Sequence, residues 1–337
     1  MPRRPAKRPP RMPRRPLRDL SLPPEECIYE VGELDHRMRL DHFLQKHFPW
    51  RSRTVLHDFI RDGRIVVDGE PRTRKSSRVL EGETVAVRVP LPREEVRHEE
   101  LARNLDILYE DEDLVAVAKP AGMIVHPVGK KRVNTLIQAL HWRYRRGDAA
   151  AKLMPRICHR LDRETSGVVI VAKDERARVR IQEIFEARTV EKEYAAVVRG
   201  VVREERGRID QAIGLDPDGR IKTQMTVRRD GLPSATRFEV LERFEDASLV
   251  RFDLETGRQH QIRVHARWLG HPVLLDPLYG DGEPAGYPEE DPVIRRHALH
   301  ARRIALPHPR TGARLELTAP LPKDMVALLE VLRRSDS

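Results

Sequence analysis

The sequence predicts an α+β protein with two folded domains. In the larger, C-terminal part, short β-rich runs alternate with a few helical segments and many turns, a pattern that favours a mixed sheet over regular βαβ units. A smaller segment nearer the N-terminus has its own helices and strands, and 337 residues suffice for two modest domains. The β-rich runs of the larger part are 114–117, 168–172, 194–198, 249–254 and 315–317.

The composition restricts the class of protein. Hydrophobic residues make up 39% and charged residues 34% of the chain, and no apolar run approaches the roughly 18 residues that span a bilayer, so we expect a cytoplasmic protein. The net charge of +10 favours a polyanionic partner, although basic proteins also occur that bind no nucleic acid. No glycine-rich phosphate loop is present, which argues against dinucleotide enzymes and nucleoside triphosphatases.

The N-terminal segment 1–26 is rich in proline and arginine, and it contains no acidic residue before Asp19. Such a segment cannot bury a core and is predicted to be disordered. It is either a flexible arm that adds affinity for a polyanion or a solubilising tail. A second segment, 91–103, is charged and lacks apolar periodicity, so it is predicted to be a linker to the large domain, 104–330.

A small domain is predicted from 36 to 90. Apolar residues lie at helical spacing in 40–44 and again in 56–60. Ser52 is placed to cap the second helix at its N-terminus, and Gly63 can end it. Two helices therefore precede the β-rich part of this domain.

Two strands complete the small domain, one at 64–69 with an Asp-Gly turn and one at 84–89. The whole unit resembles the S-four-type RNA-binding domain, and the matching segments are RLD (39–41), Pro49, SR (52–53), GRIVVDG (63–69) and EGE (81–83). Its dense basic residues suit an RNA backbone, the alternative being a solvated basic face. The predicted RNA-binding residues are Arg51, Arg53, Arg61, Arg64, Arg72, Arg74 and Lys75.

The stretch HRLDRETSG (159–167) leads directly into an apolar strand, 168–172. A polar turn before a buried strand places side chains at the rim of a sheet, where ligands can reach them. The residues alone leave an alternative open, a plain turn in which Asp162 and its neighbours bind backbone amides. In an extended segment Arg160 and Asp162 would face the same side, which sets a cation beside a carboxylate.

Four motifs in this order resemble the RluA-type pseudouridine synthases over residues 105–325. They are KPAGMIVH (119–126), HRLDRETSG (159–167), EKEYAAV (191–197) and TGRQHQIRVH (256–265). The resemblance implies the fold of that family, a mixed, largely antiparallel sheet with a central cleft. It also implies the activity, conversion of selected uridines in RNA to pseudouridine, and no cofactor.

The resemblance assigns the catalytic set to Asp162, Tyr194 and Arg263. Asp162 would act on the ribose, Arg263 would pair with it, and Tyr194 would stack on the uracil. Without the family, Tyr194 could equally be a core aromatic residue and Arg263 a solvated helix position. The residues expected to contact the substrate are His159, Arg160, Ile262, Lys119 and Arg258, with Arg160 filling the gap left by the displaced base.

Two positions depart from the family pattern: Gln259 stands where threonine is usual, and Leu275 stands where glycine commonly precedes the aspartate. A metal site is disfavoured. His260 and His265 are five residues apart and cannot easily share an ion. His297 and His300 could lie on one helical turn, but no carboxylate or cysteine completes a ligand set.

The expected partner is structured RNA, most specifically large-subunit ribosomal RNA, bound by a monomer. Three alternatives remain open at this point: an enzyme acting on transfer RNA, a non-catalytic RNA-binding assembly factor, and a glycosylase that releases uracil. Formation of pseudouridine separates the first from the other two.

Overall fold

A computed structural model describes residues 26–48, 51–89, 96–128, 133–145, 154–280 and 293–335. The predicted tail, 1–26, lies outside these residues except for Glu26. The chain divides into two compact units, residues 20–96 and residues 97–337. In the described residues, no helix is both long and apolar enough to cross a lipid bilayer.

The small unit combines two helices with a four-stranded antiparallel sheet of order β1-β4-β2-β3. Its elements are β1 (Glu26–Glu30), α1 (Leu40–His47), α2 (Arg53–Arg61), β2 (Ile65–Val67), β3 (Glu70–Pro71) and β4 (Thr84–Arg88). The apolar helical faces form the core, where Leu40, Phe43 and Leu44 are fully buried. Ser52 caps α2 by accepting a hydrogen bond from the Val55 amide, as its position predicts.

Strand β1 is an addition that the sequence did not predict, because the small domain was expected to begin at residue 36. Its burial alternates, with Cys27 and Tyr29 packed towards the core and Ile28 exposed. The strand pairs along its whole length with β4, from Glu26 opposite Arg88 onward. A five-residue strand stabilised by a partner this distant in sequence gives little local signal.

The large unit is built around a ten-stranded mixed sheet, whose main order is β10-β13-β14-β9-β15-β8-β6-β5. Strands β7 and β16 pair with β8 and β15. Among the described pairings only β8 with β15 is parallel, so the expected α+β class with a largely antiparallel sheet is confirmed. The elements are α3 (His98–Arg103), β5 (Asp106–Glu110), β6 (Leu114–Lys119), α4 (Leu136–Arg145), β7 (Arg156–Ile157), β8 (Ser166–Ala172), α5 (Glu175–Glu186), β9 (Glu191–Arg199), β10 (Arg206–Asp210), β11 (Ile213–Leu215), β12 (Met225–Val227), β13 (Ala235–Arg243), β14 (Ala247–Leu254), α6 (Gln261–Trp268), β15 (Leu299–Pro307), β16 (Arg314–Thr318) and α7 (Lys323–Ser335).

The predicted linker, 91–103, contains helix α3, so that part of the prediction is wrong. His98 and Ala102 are buried, and the His98 Nε2 atom accepts a hydrogen bond from the Asn134 amide at 3.3 Å. A helix of six residues is too short to show an apolar period. The helix belongs to the large unit, because the small unit ends at Val96.

The parallel pairing of β8 with β15 determines where the functional loop lies. Gly167 has φ of +120°, and a Cβ atom there would lie 2.1 Å from the Ala301 carbonyl oxygen. Only glycine allows this approach of the two backbones. The polar stretch 159–166 therefore enters the sheet directly beside the segment that precedes β15.

Candidate active site

The loop before β8 is held from one side by the segment 296–300. The Thr165 hydroxyl is 2.8 Å from His297 Nε2, and the Ser166 hydroxyl is 2.9 Å from His300 Nδ1. Arg296 donates to the Glu164 carbonyl at 3.1 Å. These contacts fix the end of the loop, so His297 and His300 position it. The two histidines do not lie on one helical turn, the arrangement considered above.

The same loop is held from the other side by Lys119, which is 1% exposed. Its ammonium group donates to the carbonyl oxygens of Pro120, Met123 and Arg163 at 2.8, 2.9 and 3.1 Å. Burial lowers its pKa to about 7. Lys119 was expected to contact the substrate, but its three donors are used by backbone, so its role is to fix the loop.

His159 was also expected to contact the substrate, and the structure places it elsewhere. Its Nε2 atom accepts a hydrogen bond from the Ile170 amide at 2.9 Å, and its ring stacks on Phe185 with centroids 5.3 Å apart. A ring held between a strand backbone and a helix side chain is not directed at a bound nucleotide. We therefore assign His159 to positioning the loop.

Arg263, on α6, joins two carboxylates. Its Nε and Nη2 atoms donate to Asp276 at 2.6 and 2.8 Å, and Nη1 donates to Asp162 Oδ2 at 3.0 Å. The side chains of Arg263, Asp276 and Asp162 are 7%, 0% and 30% exposed. Burial favours a raised pKa for Asp276, but hydrogen bonding and charge from Arg263 outweigh it and hold that pKa below its usual value. Arg263 is thus fixed by a bidentate pair and presents its third nitrogen to Asp162.

His260 and Tyr279 form a second contact chain to Asp162. The Tyr279 hydroxyl accepts from the Met225 amide at 2.9 Å and lies 2.8 Å from His260 Nδ1. The Asp162 carboxylate on the other side of the ring favours the tautomer in which the hydroxyl donates to Nδ1. The His260 proton is then on Nε2, which lies 3.8 Å from Asp162 Oδ2. Burial lowers the His260 pKa, the opposing charge of Asp162 being the smaller effect. The resemblance assigned no role to Tyr279 or Asp276, which lie beyond the fourth motif, 256–265.

The other expected site residues differ in exposure. Tyr194 is partly buried on β9, and burial together with the negative charge of Asp162 raises its pKa, so its phenol remains protonated. Arg160 is exposed, and Arg258 is partly exposed with Nε donating to the Pro233 carbonyl. Ile262 is 4% exposed within the core, so the expected contact with a flipped base is not available to it here.

The unusual residues at the two departures have local explanations. Leu275 has φ of +57°, the left-handed conformation that favours glycine, and it costs a leucine about 1–2 kcal/mol. The Leu275 side chain packs against the core, which offsets part of that cost. Gln259 donates from Nε2 to the Thr223 carbonyl at 3.0 Å, a reach that threonine lacks.

One group in the described residues has the composition of a cation site: Asp111, Asp113 and His308. Its carboxylates are already bound by protein groups. Arg310 donates to both Asp113 oxygens, at 2.6 and 3.0 Å, while Tyr109 and His308 contact Asp111 at 2.7 Å. The group functions as a polar anchor between the β5–β6 turn and the β15–β16 turn.

This chain is similar to curated proteins over most of its length. It is 40% identical over 300 residues to the "Uncharacterized RNA pseudouridine synthase YlyB" of Bacillus subtilis, covering 88% of this chain and 95% of that protein.

The chain belongs to the RNA pseudouridine synthases.

The family described as "RNA pseudouridylate synthase" matches residues 113–268, and the S4 domain matches residues 38–85, which confirms both resemblances drawn from the motifs. The synthase is also 37% identical over 311 residues to "Ribosomal large subunit pseudouridine synthase D" of Escherichia coli K12, covering 90% of this chain and 93% of that one. Among solved structures, "Human RNA Pseudouridylate Synthase Domain Containing 4" matches with a TM-score of 0.57 and 29% identity, over 70% of this chain and 97% of that chain.

The buried histidines make the stability of the synthase dependent on pH. Burial lowers the pKa of His159 to about 3 and those of His297 and His300 to about 4, against roughly 6.5 in an unfolded chain. Between about pH 6.5 and 4 the unfolded chain binds more protons, so stability falls as the pH is lowered through this window. We expect a loss of about 1–2 kcal/mol per histidine by pH 5, measured by urea unfolding. His300→Asn should flatten the dependence; equal stability at pH 7 and 5 would contradict the expectation.

Tyr279→Phe tests the second contact chain in the synthase. The variant leaves the Met225 amide and His260 Nδ1 without their hydroxyl partner, so we expect a loss of about 1–2 kcal/mol in unfolding free energy. Because His260 is then less firmly held beside Asp162, kcat should fall about ten-fold. A variant with full kcat would show that His260 needs no such support.

Proposed function

We propose that this synthase isomerises specific uridines of large-subunit ribosomal RNA, with Asp162 as the catalytic residue. The observation that carries this proposal is the contact of Asp162 Oδ2 with Arg263 Nη1 at 3.0 Å. In the described residues no hydrogen-bond donor reaches Asp162 Oδ1, and the side chain is 30% exposed. One carboxylate oxygen is held and the other is free to meet a substrate.

The reaction needs no redox or energy input. The bond between the ribose C1′ and uracil N1 breaks, the uracil rotates, and C1′ joins C5. C5 releases its proton and N1 takes one up, so the product is an isomer of uridine. A carboxylate can serve as the nucleophile at C1′ or as a base on the sugar, and either role stabilises positive charge on the ribose. In both roles Asp162 Oδ2 would keep the hydrogen bond that Arg263 Nη1 donates to it.

The roles of the aromatic and cationic neighbours follow from their exposure. The phenol of Tyr194 remains protonated because its pKa is raised. Tyr194 is therefore better suited to stack on the uracil than to act as a phenolate base. Arg160 is exposed and has no ion-pair partner within the described ranges, which suits a side chain that fills the space of a displaced base.

The choice of ribosomal RNA rests on the S4-type small domain and on relatives bearing that printed name. Such a substrate would place the synthase in the cytoplasm, where we propose that it acts as a monomer. Transfer RNA is the alternative substrate. Mapping pseudouridines in ribosomal and transfer RNA from cells with and without the gene separates the two.

The activity itself is tested with RNA tritiated at uracil C5. We expect the wild-type protein to release tritium and to leave pseudouridine in the RNA, detected by nucleoside chromatography. Free uracil among the products would indicate a glycosylase, and absence of tritium release would indicate a binding protein.

Four of the predicted RNA-binding residues have no ion pair among the described residues: Arg53, Arg72, Arg74 and Lys75. All four are exposed. The other three already interact within the small unit, since Arg61 pairs with Asp58 and Asp62, Arg64 approaches Asp62, and Arg51 lies over the Phe59 ring. Uncompensated cations are the better candidates for phosphate contacts.

Replacing Arg72, Arg74 and Lys75 together by glutamine should weaken RNA binding. Each lost phosphate contact reduces the slope of log K against log salt by about 0.7–0.9, so the triple variant should lose up to about 2.7 units of slope. At saturating RNA, kcat should remain near wild type. Arg61→Gln is the matched control, and an equal effect from that paired residue would contradict the assignment.

A further inference from the structure

A cavity of about 860 Å³ opens beside the start of β9, where Glu191, Lys192 and Glu193 line it. Side chains from the end of α5, from β9 and β14, and from the loop before α6 form its walls. Its lining includes Phe185, Lys192, Asp253, Gly257, Arg258 and Arg303. None of the roles assigned above uses Lys192 or explains this space.

Lys192 lies between two walls of the cavity. Its ammonium nitrogen is 5.9 Å from the centre of the Phe185 ring, and a Cβ atom on Gly257 would come within 3.3 Å of it. Lys192 and Tyr194 are two apart on β9, so they face the same side of the sheet at a separation of about 7 Å. Lys192 therefore leaves β9 on the side that also carries the aromatic ring proposed to hold the uracil.

Four of the five acids that line the cavity are paired with arginines, and no ion pair of the described residues joins any of the five to Lys192. Glu191 and Glu193 bind Arg303 at 3.3 and 3.2 Å. Asp253 pairs with Arg251 at 3.2 Å and Glu255 with Arg237 at 2.6 Å, while Glu186 is exposed at the end of α5.

Lys192 itself has no carboxylate within ion-pair distance in the described ranges. Burial lowers its pKa, and no nearby acid opposes that shift. A partly buried cation without a counter-ion costs folding free energy, which an arriving anion would offset. Arg258 lines the same cavity, two residues before His260.

We propose that Lys192, together with Arg258, binds a phosphate of the RNA backbone adjacent to the target uridine. This inference rests on the proposed function, since it assumes an RNA substrate whose uridine reaches Asp162. The subsite orients the displaced nucleotide by its backbone, while Tyr194 and Asp162 act on its base and sugar.

Lys192→Met tests the subsite in the full-length protein with an RNA fragment containing the target uridine. We expect KM to rise roughly ten-fold, with kcat changed less, and the salt slope of kcat/KM to fall by about 0.7–0.9. Arg302→Met is the matched control because Arg302 is an exposed cation that pairs with Glu193 at 3.6 Å and lies outside the cavity lining. Arg302→Met should change neither the KM nor the salt slope. Lys192→Arg, which keeps the positive charge, should have a KM close to that of the wild type.

Two further measurements separate phosphate binding from a structural role. Removing a partly buried cation that has no counter-ion should leave the thermal unfolding temperature unchanged or higher, whereas loss of a structural contact would lower it. A neutral methylphosphonate linkage is placed on one side of the uridine or on the other. It should weaken RNA binding by the wild type at one of these two positions, and at that position it should not weaken binding by Lys192→Met any further. A wild-type KM and salt slope in Lys192→Met, or additive losses at both linkages, would overturn the proposal. Filter-binding affinities give the same comparison even if no pseudouridine forms.

Discussion

Asp162→Asn is expected to bind RNA normally and to lose at least about a thousand-fold in kcat. Asparagine has nearly the shape of aspartate, and its oxygen can still accept the hydrogen bond that Arg263 Nη1 donates to Asp162. It cannot supply a negative charge to the ribose, act as a nucleophile at C1′ or accept a proton. The loss should therefore appear in the chemical step alone.

The comparison is made with single-turnover tritium release and with filter binding of the same RNA. Asp218→Asn is the matched control, an exposed aspartate of the same unit that should retain full activity. Asp162→Asn should keep the wild-type RNA affinity within about two-fold, since one neutralised carboxylate adds no phosphate contact. Activity within ten-fold of wild type in this variant would exclude Asp162 from the mechanism.

Sequence patterns were sufficient for the parts of this fold that depend on local chemistry. The apolar runs at 168–172 and 194–198 are strands β8 and β9, and Ser52 caps α2. They failed where structure depends on distant partners. Strand β1 forms because β4 pairs with it, and α3 is too short to show a period.

The candidate site shows a second limit of sequence reasoning. A polar residue within a motif can contact the substrate directly, or it can hold in place the backbone of a loop that carries the substrate-contacting residues. Both functions require the same residue type. Lys119 and His159 belong to the second kind, because their polar atoms bind the backbone of the loop and of β8. The sequence could not predict that Arg263 is buried either. Helical spacing allowed a solvated face for it, and its carboxylate partner Asp276 lies 13 residues away.

Arg263→Met should cost both stability and activity. The Asp276 side chain is 0% exposed, and without the guanidinium its remaining hydrogen-bond partners among the described residues are the amides of Leu278 and Tyr279. Breaking a buried pair by removing one member typically costs about 3–5 kcal/mol, and we expect a loss of that size in urea unfolding. The loss of a charged hydrogen bond to Asp162 should lower kcat a further ten- to hundred-fold at temperatures where the variant is folded.

A double variant separates the two functions of this arginine. Arg263→Met combined with Asp276→Asn removes the buried unpaired charge, so part of the lost stability should return, while kcat should remain low because Asp162 still lacks its cation. Arg263→Lys should also remain impaired, because one ammonium group cannot bind Asp276 through two donors and reach Asp162 with a third. If kcat recovered together with stability in the double variant, Arg263 would act only through the fold, and its contact with Asp162 would have no part in the reaction.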